Sequence, residues 1–256
     1  TLNDFISNQY LLQSQGYSVD KMPEFSYSRL ADDILPGVQP GLLTWTHEYR
    51  VSRMRFAFDE STASSIGYLT DFRAQQALGI NANQSPADRL KAMGLNEDYV
   101  GRADTRQELA ATLDFEPVKI VPFVVGRFTY YDKTVGDMNA LAGPDSRDDD
   151  YRLWYSAGSR FSTTLTRIDD DMESSLFDLH RVRHVIEPNA TVWFGGTTVS
   201  QESLPVYDDT VESLNSGTTA RVGVNQTFQT QRGGPGRWRS VDVLKFNTDL
   251  TLSTAD

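Results

Sequence analysis

The residues in this chain whose types could do chemistry are three histidines, His47, His180 and His184, and a scatter of carboxylates. His180, His184 and Glu187 stand at a spacing that suits a metal site on a helix, yet the residues around them alternate in the manner of a strand. On a strand the two imidazoles share a face about 13 Å apart, too far for one ion that needs three or four converging ligands. There is no Gly-x-Ser-x-Gly turn and no cysteine, so the usual routes to an activated nucleophile are missing. No glycine loop leads into a helix to cradle a phosphate. Glu48, Asp114 and Glu187 fall on strand-like segments and could serve as an acid and base pair in glycoside hydrolysis. Their plainer role is partnership with neighbouring arginines on a polar wall. The expectation is a chain that is not an enzyme and that uses no cofactor or metal.

Cationic residues recur more regularly than carboxylates. Arg50, Arg160, Arg181, Arg183, Arg221 and Lys245 fall on the polar side of separate alternating segments, interleaved with Ser, Thr, Asn and Glu. If those sides face one lumen, they make a wall able to bind phosphate or carboxylate groups, which guanidinium recognises through paired hydrogen bonds. If they face water, they are ordinary cross-strand pairs worth little. Aspartates gather instead between the segments, at Asp148–Asp150, Asp169–Asp171 and Asp208–Asp209. These read as solvated loop tips, with calcium binding as the lesser alternative. The formal net charge of −11 argues against a nucleic-acid partner, because neutralising phosphates needs a basic surface.

The elements that must position these residues are long strands. His180 to Phe194 places Val182, Ile186, Ala190, Val192 and Phe194 on one side, with Arg181, Arg183, Glu187, Asn189 and Thr191 on the other. It is longer than the usual five or six residues of a soluble strand. Similar alternation runs over Met22–Leu30, Leu42–Phe58, Tyr151–Ile168, Thr218–Thr230 and Trp238–Thr254. Glu108–Asp132 reads as two strands divided at Glu116-Pro117. In Leu42–Phe58 the apolar phase moves from Trp45, Tyr49 and Val51 to Met54, Phe56 and Phe58, which predicts a bulge or register break near Ser52. Residues 61–101 differ, with helical spacing at Tyr68, Leu69, Phe72 and Leu78. A helix start follows at Ser85-Pro86 with Asp88 in its first turn. Gly233–Gly236 predicts a turn between the last two strands. No leader precedes Asn3, and no run of about 18 apolar residues is present, so any membrane crossing falls to strands.

Four signatures in sequence order resemble the outer-membrane lipopolysaccharide-assembly family LptD, also called organic solvent tolerance protein. They are Lys21-Met22-Pro23-Glu24-Phe25-Ser26-Tyr27; Arg106–Leu109 leading to Val121-Pro122-Phe123 and Gly126–Tyr131; Arg183-His184-Val185-Ile186-Glu187-Pro188; and Leu204-Pro205-Val206-Tyr207-Asp208. The third is the most specific. The resemblance implies a barrel in the outer membrane that receives lipopolysaccharide from a periplasmic bridge and releases it through a lateral seam, with an LptE-like lipoprotein plug. The family's periplasmic jelly-roll domain and its cysteines are not found here, so a middle-to-late barrel fragment is expected. The resulting expectation is all-β: one partial antiparallel transmembrane β-barrel over 1–256, with a helical loop insertion. Trp45, Tyr155, Ile186, Phe194 and Phe246 would meet lipid, and the arginines would line the lumen. The competing readings are a soluble all-β carbohydrate-binding or hydrolytic domain and a generic porin or autotransporter barrel.

Overall fold

The alternating segments form strands, and the strands pair in the order in which they occur. In the computed structural model, which describes residues 17–140, 142–234 and 236–255, ten strands make one antiparallel sheet. They are β1 (Tyr17–Asp33), β2 (Leu43–Phe58), β3 (Val100–Ala111), β4 (Leu113–Phe115), β5 (Val118–Tyr131), β6 (Tyr151–Thr163), β7 (Leu165–Ser174), β8 (Leu179–Thr197), β9 (Gly217–Arg232) and β10 (Arg239–Ala255). The sheet order is β1-β2-β3-β5-β6-β8-β9-β10, with β4 pairing β5 and β7 pairing β8. The chain is therefore an up-and-down meander. Among the described residues β1 and β10 each pair on one side only, so the sheet is open and not a closed barrel. The sequence reading at Thr1–Asn3 lies outside the described residues.

Connections alternate in length. Those at 34–42, 116–117, 175–178 and 233–238 are short, whereas those at 59–99, 132–150 and 198–216 are long. Antiparallel meandering puts all the long ones at one end of the sheet. The first carries the expected helices, α1 (Asp71–Leu78) and α2 (Pro86–Ala92). Thr70 caps α1, and Gly79 leaves it at φ 68°, a left-handed backbone that glycine takes without penalty. Ser85 and Asp88 form a reciprocal capping box on α2, with Pro86 in its first turn, as the start signal predicts. A one-turn helix, α3 (Val135–Met138), lies in the second long connection.

Side chains from these connections close over one end of the sheet. Met54, Phe56, Phe58, Val100 and Tyr131 from the strands pack with Ala87, Val135, Met138, Leu204 and Tyr207 from the connections. Phe56 stacks on Tyr207 with ring centroids 4.4 Å apart. This core explains why the apolar phase moves although β2 itself carries no bulge. β2 keeps one register against β3 from Leu43↔Ala111 to Met54↔Val100, so Arg50 and Met54 share a face. That face changes from polar to apolar where the connections cover it. The bulge lies in the partner strand, where β1 shifts register between Lys21 and Glu24.

Other boundaries move for similar reasons. β3 begins at Val100, so residues expected within the insertion or before a strand at Glu108 belong to a strand. Its apolar-face positions Gly101, Ala103 and Thr105 lack bulk, which hides the alternation. Asp169–Asp171, expected as a solvated loop, lies inside β7 at a register shift between Asp169 and Glu173.

Candidate functional site

Register divides the sheet into two faces of opposite character. Across β3, β5, β6 and β8 one face carries Leu109, Val124, Phe128, Tyr130, Leu153, Tyr155, Val192 and Phe194, and all of these are exposed. The other carries Arg102, Asp104, Glu108, Arg127, Thr129, Arg152 and Ser156, all of them buried. Charged residues are almost never fully buried unless paired, so whatever covers this face has to supply partners.

What buries the charged face is the β8–β9 connection, residues 198–216. Asp208 Oδ2 accepts from Lys21 Nζ at 2.8 Å and Arg50 Nη1 at 3.1 Å, while Oδ1 accepts from Thr210 N at 3.0 Å. Glu212, with no exposed surface, accepts from Arg102 Nη1 at 2.7 Å, Tyr131 Oη at 3.0 Å and Asp208 N at 2.7 Å. Arg127 pairs with Asp104 at 2.7 Å and also donates to the Thr210 carbonyl. Arg152 donates to the carbonyls of Val211 and Glu212, each at 3.0 Å, and to that of Leu214. One connection thus contacts cations from five strands. Burial pushes the Asp208 carboxyl up, but the hydrogen bonds from Lys21 and Thr210 outweigh it and hold that carboxyl far below the usual range. At Glu212 burial prevails over the Arg102 guanidinium, and the carboxyl is raised.

Five of the six cations singled out from sequence lie on this polar face. Arg50 meets Asp208; Arg160 meets Glu108 at 2.8 Å and stacks over Phe123; Arg221 meets Asp249 at 3.0 Å; Lys245 meets Asp242 at 2.8 Å. Arg183, opposite Gln229 on β9, is exposed and has no ion-pair partner among the described residues. Arg181 departs from the pattern. It sits at φ 57° in the register shift of β7 against β8 and pairs with Asp170, so regular alternation does not place it with the others. Away from the covered end, Glu187, Asn189, Arg221, Asn225 and Asp249 line an open cavity of about 280 Å³.

The histidines pack against aromatic rings. His184 stacks on Phe228 at 4.0 Å, His180 packs edge-on to Trp238, and His47 lies 4.3 Å from Trp45. No group of three or more metal-ligating side chains occurs among the described residues. Glu48 accepts from Arg106 at 3.3 Å, as a partnered wall carboxylate does. Lys21, Arg102, Arg127, Arg152 and Glu212 are the site residues that sequence reasoning passed over. Arg127 and Arg152 stand in clean alternation and were findable by the same rule as Arg160, whereas Glu212 lies in a connection with no period to read.

Compared with protein-family models, curated proteins and solved structures, the chain matches none.

Proposed function

We propose that this chain is part of an outer-membrane β-barrel wall that passes lipopolysaccharide to the outer leaflet, as its resemblance to the LptD family implies. The observation that carries the reading is the inverted sheet: exposed aromatics and aliphatics on one face, buried charges on the other. Each large apolar side chain left in water forgoes roughly 1.5–3 kcal/mol of burial, and Tyr155, Phe194, Phe246 and Leu250 are all more than half exposed. Acyl chains would cover them. The short turns at one end and long connections at the other repeat the periplasmic and extracellular ends of outer-membrane barrels. Strands of 16 to 19 residues, such as β2 and β8, exceed the 9–11 residues that a tilted strand needs to cross.

In this reading Trp45, Tyr155, Ile186, Phe194 and Phe246 meet lipid, and Arg50, Arg160, Arg183, Arg221 and Lys245 contact the phosphates and sugars in passage. Arg181 joins them at the strand end. The polar face beyond the covering connection stays available to an LptE-like lipoprotein, and the periplasmic bridge delivers from the short-turn end. No covalent chemistry is required. Reversing charge at Arg160, Arg183 and Arg221 together, in the full-length protein, is expected to reduce lipopolysaccharide delivery to the cell surface at least tenfold while leaving the barrel in the membrane. Undiminished delivery would remove the arginines from the path. Small-solute conductance with normal delivery would favour a generic porin instead.

A further inference from the structure

We propose that the β8–β9 connection is a displaceable lid over an oxyanion site made by Lys21, Arg50, Arg102 and Arg152, and that this site takes a ligand carrying two neighbouring phosphate or carboxylate groups. The proposal rests on the reading of the polar face as a path for an anionic glycolipid, and adds a gate to it. Asp208 and Glu212 occupy the two anion positions in the closed state, both beside one guanidinium. Arg102 donates Nη1 to Glu212 at 2.7 Å and sets Nη2 3.6 Å from Asp208.

The closed state leaves donors over. The Arg102 side chain has no exposed surface, yet its Nε and Nη2 make no hydrogen bond among the described residues. Arg152 donates only to carbonyls and to the Thr197 hydroxyl, with no carboxylate at ion-pair distance among the described residues. A planar carboxylate offers two oxygens to such a cluster, whereas a phosphate offers three and reaches more of these donors. When the connection lifts, Arg127 keeps Asp104, while Lys21, Arg50, Arg102 and Arg152 lose every anion and carbonyl that the connection supplies. Four bared cations make the open state costly until an anion arrives, so opening follows the ligand. Gly217, at φ 145° where β9 begins, supplies a pivot that other residues rarely adopt.

The chain contains no cysteine, so Val211→Cys places one thiol at a position that is 1% exposed. In the detergent-purified full chain, maleimide labelling of this thiol is expected to be slow alone. It should rise at least tenfold with inorganic pyrophosphate and remain slow in sodium chloride of the same ionic strength. Asp208→Asn in the same background should label fast without any added anion. Should Val211→Cys fail to fold, the fluorescence of the cysteine-free chain reports the same event, because Trp154 Nε1 donates to Asn215 O in the lid. Lipopolysaccharide micelles form a second arm: opening at a lower concentration than pyrophosphate points to a lipid headgroup, and equal or weaker action points to free phosphate. Labelling that ignores both anions, or that chloride raises equally, overturns the lid. A lid that opens normally in a protein that delivers no lipopolysaccharide would instead overturn the transport reading.

Discussion

Asp208 shows how one side chain ties a connection to the wall. Its carboxyl is held far below the usual range in the folded chain, so its stabilisation is complete above the unfolded value near 4 and is lost as pH falls through the folded value. Asp208→Asn is expected to cost about 1–3 kcal/mol at neutral pH, by leaving Lys21 and Arg50 without their anion. The gap in thermal midpoint between wild type and variant should narrow as pH drops below about 4. A gap that stays constant from pH 7 to pH 3 would mean that the ionised carboxylate does not hold the connection. Glu212, with a raised carboxyl, works in the opposite sense, favouring the closed state at low pH and weakening it as pH rises through its folded value. At this scale Arg50, Arg160, Arg183, Arg221 and Lys245 were legible because a period of two assigns a side chain to a face. Asp208 was misread as a solvated loop tip because no period governs a connection. Its burial follows from where 198–216 crosses the sheet, which depends on the ends of β8 and β9 together.

The elements themselves were legible wherever one face carries bulk. β8 and β9 match the expected segments to within a few residues, and the caps of α2 fall at Ser85, Pro86 and Asp88 as read. Where small residues stand on the apolar face, as in the first half of β3, the signal fades. In β2 the apolar phase change was real, but its cause was a change in what covers the face. Gly158 in β6 offers a test of the register that joins the two halves of the sheet. A Cβ there would lie 2.4 Å from Val192 O, 2.6 Å from Trp193 Cβ and 2.8 Å from Phe123 Cζ, and a backbone oxygen can yield only if β6 and β8 separate. Gly158→Ala should therefore lose about 1–3 kcal/mol, as an overpacked site does. Gly126→Ala on β5, where a Cβ meets nothing within 4 Å, should change stability by no more than about 0.5 kcal/mol. Chemical unfolding of both variants gives the comparison, and equal effects would refute the β6–β8 pairing at Gly158↔Trp193.

For the whole molecule the question is what covers the apolar face. A soluble sandwich would put it against a second layer, but among the described residues ten strands lie in one sheet and the buried clusters sit at its long-connection end, in the insertion and on the polar face. The sequence could reveal two-faced strands without revealing which face is covered, because alternation is identical for a core and for a bilayer. The tryptophans separate these cases. Trp45 lies on the apolar face, in the same alternation as Tyr49 and Val51, whereas Trp154 and Trp193 point to the polar face opposite Arg127 and Gly158. In single-tryptophan variants reconstituted into bilayers with brominated acyl chains, Trp45 fluorescence should be quenched strongly, and Trp154 and Trp193 only weakly. Equal quenching of all three would place the polar face in lipid as well, which the charges of Arg102, Arg127 and Arg152 forbid at several kcal/mol each. No quenching of Trp45, together with a monodisperse chain in the absence of detergent, would show that protein or water covers the apolar face, and the membrane reading would fall with it.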